Sequence, residues 1–308
     1  MKILITGAAG FLGSHLVLSL LEDGHEIIGI DDLSTGSLEN VAQHPKMTFH
    51  IEDVRTYSIP NVDVIFNLAS PASPVHYQIN PVKTFETNIF GTVAVLKAAK
   101  ASKARVIQAS TSEIYGDPLV SPQSENYWGN VNSIGPRACY DEGKRASETI
   151  CFDYIRQFGL DARVARIFNT YGPNMAVGDG RVVSNFIVQS LLNKDLTIYG
   201  DGLQTRSLCY VSDLISALKK IMEIGINPQV PINIGNPTEI TMIELAHLII
   251  SLTKSKSSLI FKELPQDDPK QRNPNIQLAK KVLKWEPEIN LEDGLIKTIN
   301  YFRKKLNL

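Results

Sequence analysis

Tyr140 and Lys144 stand four residues apart in the run Ala138-Cys139-Tyr140-Asp141-Glu142-Gly143-Lys144-Arg145. On a helix that spacing puts the phenol and the ammonium on one face, one turn apart. A cation beside a phenol favours the phenolate, so a tyrosine whose free pKa is about 10 is drawn toward neutrality and serves as a base. Such a pair also occurs by chance on surface helices, so its weight depends on its company. The neighbouring residues do predict a helix. Pro136 suits a first turn, Gly159 suits a C-terminal end, and Ile150, Cys151, Tyr154, Ile155 and Phe158 recur at three- and four-residue steps between them.

A second device lies at the N-terminus. The apolar run Lys2 to Thr6 leads into Gly7-Ala8-Ala9-Gly10-Phe11-Leu12-Gly13, after which Leu16, Val17, Leu20 and Leu21 mark a helix face. In this strand, turn and helix, Gly7, Gly10 and Gly13 permit a tight turn, close approach of a pyrophosphate, and close packing of helix on strand. The open N–H groups of the helix start attract the anion. The next apolar run, Glu26 to Ile30, ends in Asp31-Asp32, at the separation a dinucleotide site requires. A carboxylate there accepts hydrogen bonds from the adenosine ribose and repels a 2'-phosphate. The expected cofactor is therefore NAD rather than NADP.

The elements that must position these residues alternate. Strands are expected at Met47 to Ile51, Val62 to Leu68, Arg105 to Ala109 and Leu160 to Phe168, with a long helix from about Pro81 to Ala101. That rhythm predicts an α/β, doubly wound parallel sheet, with ligands at the C-terminal edge of the strands. Ser110-Thr111-Ser112-Glu113 leaves the sheet on that edge; strict alternation would give Ser110 and Ser112 one face and Thr111 the other. Beyond Asn169-Thr170-Tyr171-Gly172-Pro173 the rhythm fades into proline, loops and polar clusters. A dinucleotide domain over 1–170 and a smaller, interleaved lobe over 171–308 are expected, with segments near 205–225 returning to the first. Arg303-Lys304-Lys305 reads as a solvated helix end.

Composition narrows the function classes. In 308 residues, 43% hydrophobic and 20% charged, a net charge of -1 gives no general field for nucleic acid or an acidic membrane. The apolar run before Gly7 is too short for a signal peptide and no window has eighteen uninterrupted apolar residues, so a cytosolic protein without membrane spans is expected. Cys139, Cys151 and Cys209 form no CxxC, and the histidines show no ligand spacing, so neither disulfides nor a metal are expected.

The glycine turn, the hydroxyl cluster and Tyr-x-x-x-Lys, in that order, resemble the extended short-chain dehydrogenase/reductase superfamily, with its Rossmann-type sheet. Longer strings narrow the resemblance. Leu68 to Pro74, Ser110 to Pro118, Gly135 to Arg145, Ala165 to Pro173, Asp179 to Phe186, Gln204-Thr205-Arg206, Asp267-Asp268-Pro269 with Arg272, and Trp285-Glu286-Pro287 resemble the UDP-glucuronate decarboxylase (UDP-xylose synthase) family. The resemblance implies a cytoplasmic homodimer acting on a UDP-sugar, paired through helices near 85–101 and 141–158. The implied reaction is oxidation of C4 of UDP-glucuronate by bound NAD, loss of the C6 carboxylate as CO2, and re-reduction.

Roles follow from the same resemblance. Thr111 would bind the substrate hydroxyl, Tyr140 would take its proton, and Lys144 would hold the nicotinamide ribose and lower the tyrosine pKa. Glu113 would position or transfer a proton near C5. Cofactor contacts would come from Gly7, Gly10, Phe11, Leu12, Gly13, Asp31, Asp32, Leu33, Thr35, Leu68, Ala69, Ser70, Ala109, Ser110, Tyr140 and Lys144, with Asp53 and Val54 at the adenine. Asn169, Arg181 and Tyr199 would touch nucleotide or sugar, and Arg206 and Arg272 the diphosphate, a bidentate task. Four positions depart from the pattern: Asp32, Leu33, Asn174, where the family carries arginine, and Leu208, where it carries phenylalanine. The alternatives are a nucleotide-sugar 4,6-dehydratase, which needs an acid where this chain has Ser112, a 4-epimerase, and a non-catalytic dinucleotide-binding scaffold. The scaffold has no need of the proton-relay set.

Overall fold

A computed structural model describes all residues except Asp268 and Lys270, so Asp268 of the string quoted above lies outside the described residues. The run Lys2–Thr6 forms β1, buried from Ile3 onward, as a strand covered on both faces must be. Its alternation sorts the core. Ile3 and Ile5 join one apolar cluster, with Leu16, Leu20 and Leu214, while Leu4 joins another, with Ile65, Val95 and Cys151. β2 (Glu26–Asp31), β3 (Met47–Ile51), β4 (Val64–Asn67), β5 (Arg105–Thr111) and β6 (Ala162–Ile167) complete a parallel series. With a late strand, Ile232–Ile234, the order across the sheet is 232–234, β6, β5, β4, β1, β2, β3. Strand order reverses between β1 and β4, and crevices for ligands open at such a reversal.

The helices between these strands are α1 (Phe11–Glu22), α2 (Pro74–Tyr77), α3 (Pro81–Glu86), α4 (Thr92–Ser102) and α5 (Ala138–Phe158). Asn80 caps α3 through Lys83 N at 3.0 Å. The single helix expected from Pro81 runs to Ser102 with a π-turn at Thr87–Gly91 joining α3 to α4. α5 starts just past Pro136 and ends at Gly159, whose φ of 65° is the left-handed conformation that stops a helix.

Past β6 the chain forms β7 (Thr170–Tyr171), α6 (Val182–Leu191), β8 (Leu196–Tyr199), β9 (Thr205–Ser207), β10 (Cys209–Tyr210) and α7 (Val211–Glu223). Then come β11 (the late strand), β12 (Glu239–Thr241), α8 (Met242–Thr253), β13 (Leu259–Lys262), α9 (Gln277–Leu283) and α10 (Leu291–Lys305). Three two-stranded pairs, β7 with β10, β8 with β13 and β9 with β12, brace this half. α7 packs on α1, and β11 adds to the main sheet beside β6. At three residues β11 is too short to leave a sequence signal.

At the end of α10 Lys304 and Lys305 are exposed, as expected of a solvated helix end. Lys305 pairs with Glu39 in the loop after β2, and Arg303 donates to the Thr253 carbonyl at 3.3 Å. Among the described residues no helix is long and apolar enough to cross a membrane.

Candidate active site

The C-terminal edge of β1, β4 and β5 is tied together by buried polar side chains. Thr6 Oγ1 donates to Asn67 Oδ1 at 2.8 Å and accepts Leu68 N and Ala69 N, each at 3.0 Å. Asn67 Nδ2 donates to Gln108 Oε1 at 2.8 Å. The loop at 68–70 is therefore fixed on the floor of a cleft of about 960 Å³. Sequence patterning gave no sign of this network, because Thr, Asn and Gln inside a strand read as ordinary polar residues.

One arm of the cleft fits a dinucleotide. Gly7 has φ of +71°, and a Cβ on Gly13 would lie 2.0 Å from the Gly7 carbonyl oxygen, so only glycine lets α1 start so close to β1. No side chain caps α1 at Gly10, which leaves its first N–H groups for an anion. Phe11 and Leu12 line the cleft beside these glycines. Asp31, at the end of β2, accepts Leu33 N at 2.8 Å and Ala9 N at 3.0 Å; burial pushes its carboxyl up while these N–H groups oppose. Asp32 pairs with Lys83 of α3 at 2.8 Å. Thr35, Asp53, Val54, Leu68, Ala69, Ser70, Ala109 and Ser110 line the same cleft. Leu33 is the exception, since it is not in the lining and contributes its backbone N–H to Asp31 at a φ of 57°. These features suit the pyrophosphate and ribose of NAD.

The other arm gathers the chemistry. Thr111, Glu113, Tyr140, Lys144, Asn169, Arg181, Tyr199, Arg206 and Arg272 all line it. Thr111 hydrogen-bonds the Tyr140 phenol and also accepts Glu113 N at 3.2 Å, while Ser110 turns away to Glu148. The Tyr140 ring stacks on Tyr77, centroids 5.1 Å apart and planes within 3°.

Two contacts bear on the roles expected of Lys144 and Arg272. Lys144 lies beside Tyr140 on the same face of α5. Its ammonium sits 5.8 Å from the Tyr140 ring centroid and donates to the Ala109 carbonyl at 2.9 Å. Burial and then the Glu113 charge push the Tyr140 phenol up, against the Thr111 hydrogen bond and the Arg181 charge. Burial pushes Lys144 itself down to about 8. Arg272 lines the cleft as well. Its two terminal nitrogens grip both oxygens of Glu113, and Arg137 adds a contact at 2.6 Å. Burial opposes charge on Glu113, but two guanidiniums outweigh it and hold the carboxylate ionised. Arg137 and Tyr77 escaped the sequence reading although Arg137 precedes α5 by one residue, because an arginine there resembles any surface residue.

Two of the departures take places of their own. Asn174, at a φ of 67°, donates to Ser14 Oγ at 3.1 Å, on the dinucleotide side at the start of α1. Leu208 is buried beneath the cleft. Arg181 clasps Asp179 at 2.5 and 2.7 Å, with its guanidinium 5.4 Å from the Phe11 ring centroid, at the junction of the arms.

Residues 3–235 match the NAD dependent epimerase/dehydratase family. The chain belongs to that family. Within it, the chain is 52% identical over 308 residues to UDP-glucuronic acid decarboxylase 1 of Xenopus tropicalis, covering 99% of this chain and 73% of the relative. It is 52% identical over 312 residues to UDP-glucuronic acid decarboxylase 3 of Arabidopsis thaliana, covering 100% and 91%. Similar solved structures include the UDP-glucose 4-epimerase of Thermotoga maritima with UDP-glucose (TM-score 0.92, 32% identity, 99% of this chain and 100% of that one). Another is the UDP-glucuronic acid 4-epimerase of Bacillus cereus with UDP-glucuronic acid and NAD (TM-score 0.90, 28% identity, 99% and 100%). The scaffold of this family thus carries epimerases as well as decarboxylases, and the distinction between them lies in the site.

Proposed function

We infer that this protein is a UDP-glucuronate decarboxylase, a carboxy-lyase that uses NAD to convert UDP-glucuronate to UDP-xylose and CO2. The observation that carries the reading is the 52% identity to decarboxylases across 99% of the chain, with Thr111, Tyr140, Lys144 and Glu113 on one cleft. The Gly7–Gly13 turn and Asp31 would hold NAD, which would supply an acceptor and later a donor of hydride for C4.

Thr111 and Tyr140 meet the C4 oxygen, Thr111 orienting it and Tyr140 taking its proton. The raised phenol makes Tyr140 a strong proton acceptor once ionised, and Thr111 and Arg181 favour that ionised form. Lys144, fixed by Ala109, would hold its positive charge beside the ribose of the bound cofactor. With C4 a ketone, the C6 carboxylate is beta to a carbonyl; the C5–C6 bond breaks, CO2 leaves, and its electron pair forms an enolate on the C4 oxygen. Donors aimed at that oxygen are most effective when it carries charge. A proton then adds at C5, and Tyr140 returns its proton to O4 as C4 is reduced. Glu113, locked by Arg272 and Arg137, serves as a rigid ionised wall near C5. Asn169, Tyr199 and Arg206 hold the nucleotide end.

The lobe from 171 onward, apart from α7 and β11, is read as the substrate half, and the protein as a homodimer. Incubating the purified protein with UDP-glucuronate should release CO2 and a UDP-pentose. UDP-glucuronate left untouched while dTDP-glucose is dehydrated would replace this reading with a 4,6-dehydratase, and a product that keeps its carboxylate would replace it with a 4-epimerase.

A further inference from the structure

A buried ion pair remains that none of these steps uses. Glu148 lies on α5, one turn beyond Lys144 and two beyond Tyr140, and is 7% exposed. Its carboxylate accepts Arg166 Nε at 3.0 and 3.3 Å, Arg166 Nη2 at 2.8 Å, and the Ser110 hydroxyl. Arg166, on β6, donates through Nη1 to the Tyr115 phenol oxygen at 2.9 Å and to the Glu125 carbonyl at 3.0 Å. The Tyr115 hydroxyl in turn donates to Asn233 Oδ1 of β11 at 2.8 Å. Ser110 and Tyr115 are the two ends of the turn that carries Thr111 and Glu113.

Stability alone does not account for this arrangement. Taking both charges out of water costs about as much as their attraction returns, and apolar side chains of the same volume often do as well or better. A fully satisfied polar network adds direction instead, because each partner has a single good geometry. The Glu148 charge also favours the ammonium of Lys144 against its burial.

We propose that Glu148 and Arg166 are positioning residues for the reaction. Together they grip the Ser110–Tyr115 turn at both ends and keep Thr111 and Glu113 in register with Tyr140 and Lys144 on α5. The proposal rests on the decarboxylase reading above. In that chemistry the C4 oxygen must meet Thr111 and Tyr140 twice, before and after the carboxylate leaves, so a loosened turn penalises both passages. A displacement near 1 Å at such a group costs about 100-fold in rate.

The test is the double variant Glu148→Leu/Arg166→Met, which removes both charges and leaves neither stranded. Expected are cooperative melting, a KM for UDP-glucuronate within about 3-fold of wild type, a kcat lowered about 100-fold, and faster amide hydrogen exchange at 111–115. Unchanged kcat and exchange in the folded variant would overturn the proposal; a pair that serves stability alone would lower melting and leave kcat per folded molecule intact. If the double variant does not fold, Tyr115→Phe decides, since it deletes only the hydroxyl linking Arg166 to Asn233. A kcat about 5-fold lower at constant KM supports the clamp, and wild-type kcat overturns it. A wild-type enzyme that ignores UDP-glucuronate would sink the functional reading separately, and the exchange comparison would still judge the clamp.

Discussion

At Tyr140, burial and a neighbouring carboxylate raise the phenol while a threonine hydroxyl and an arginine oppose them. Tyr140→Phe removes only the oxygen and keeps the stack on Tyr77, so the fold and UDP binding should survive. Turnover should fall by about 10²–10⁴-fold, the range that general acid–base groups contribute; steady-state rates and calorimetric titration with UDP check both parts. Lys144 offers a separate test through pH. Folded Lys144 gives up its proton near 8, whereas an unfolded lysine keeps it to about 10.4. Below pH 8 both forms are charged and the burial penalty is present in full. Between these values the unfolded chain binds more protons, so stability rises with pH. Relative to Lys144→Met, the wild type should gain on the order of 3 kcal/mol between pH 7.5 and 10.5, read from urea denaturation.

At the scale of elements, what the sequence made legible was what depends on local backbone demands. The Gly7–Gly13 turn needs no partner from elsewhere to be recognised, and Gly159 marked the end of α5 because a left-handed stop leaves a compositional sign. The π-turn at Thr87–Gly91 and the three-residue β11 left none, since both depend on packing against distant segments. The glycine turn gives a direct prediction. In Gly13→Ala the new methyl would lie 2.0 Å from the Gly7 oxygen and 2.8 Å from its carbonyl carbon, both backbone, so α1 must move off β1. Stability should drop by about 1–3 kcal/mol, as overpacking does, and NAD affinity by more than about 10-fold. Gly178→Ala, with nothing within 4 Å of the added carbon, is the control in the same thermal-shift titration and should change neither.

Across the whole molecule, the contacts hardest to foresee are those that close over long stretches of chain. Arg272 reaches Glu113 across 159 positions, a pairing that the local sequence of neither residue announces. Only the folded chain brings the two together. The assembly is the remaining whole-molecule question, and the surface bears on it. Val82, Phe85 and Phe90 on the α3–α4 segment are 68%, 40% and 57% exposed, and Phe158 at the end of the adjoining α5 is 41% exposed. Single exposed apolar residues are ordinary, but aromatic groups on two neighbouring helices suit a helix-on-helix contact between copies. A homodimer through these helices predicts a two-subunit mass in sedimentation equilibrium at micromolar concentration. Phe90→Glu would place a charge in the centre of that contact, which costs on the order of several kcal/mol of association because the carboxylate must be desolvated without a partner. The variant should sediment as a monomer with an unchanged circular dichroism spectrum. A wild-type protein already monomeric, or a variant still dimeric, would move the interface off these helices.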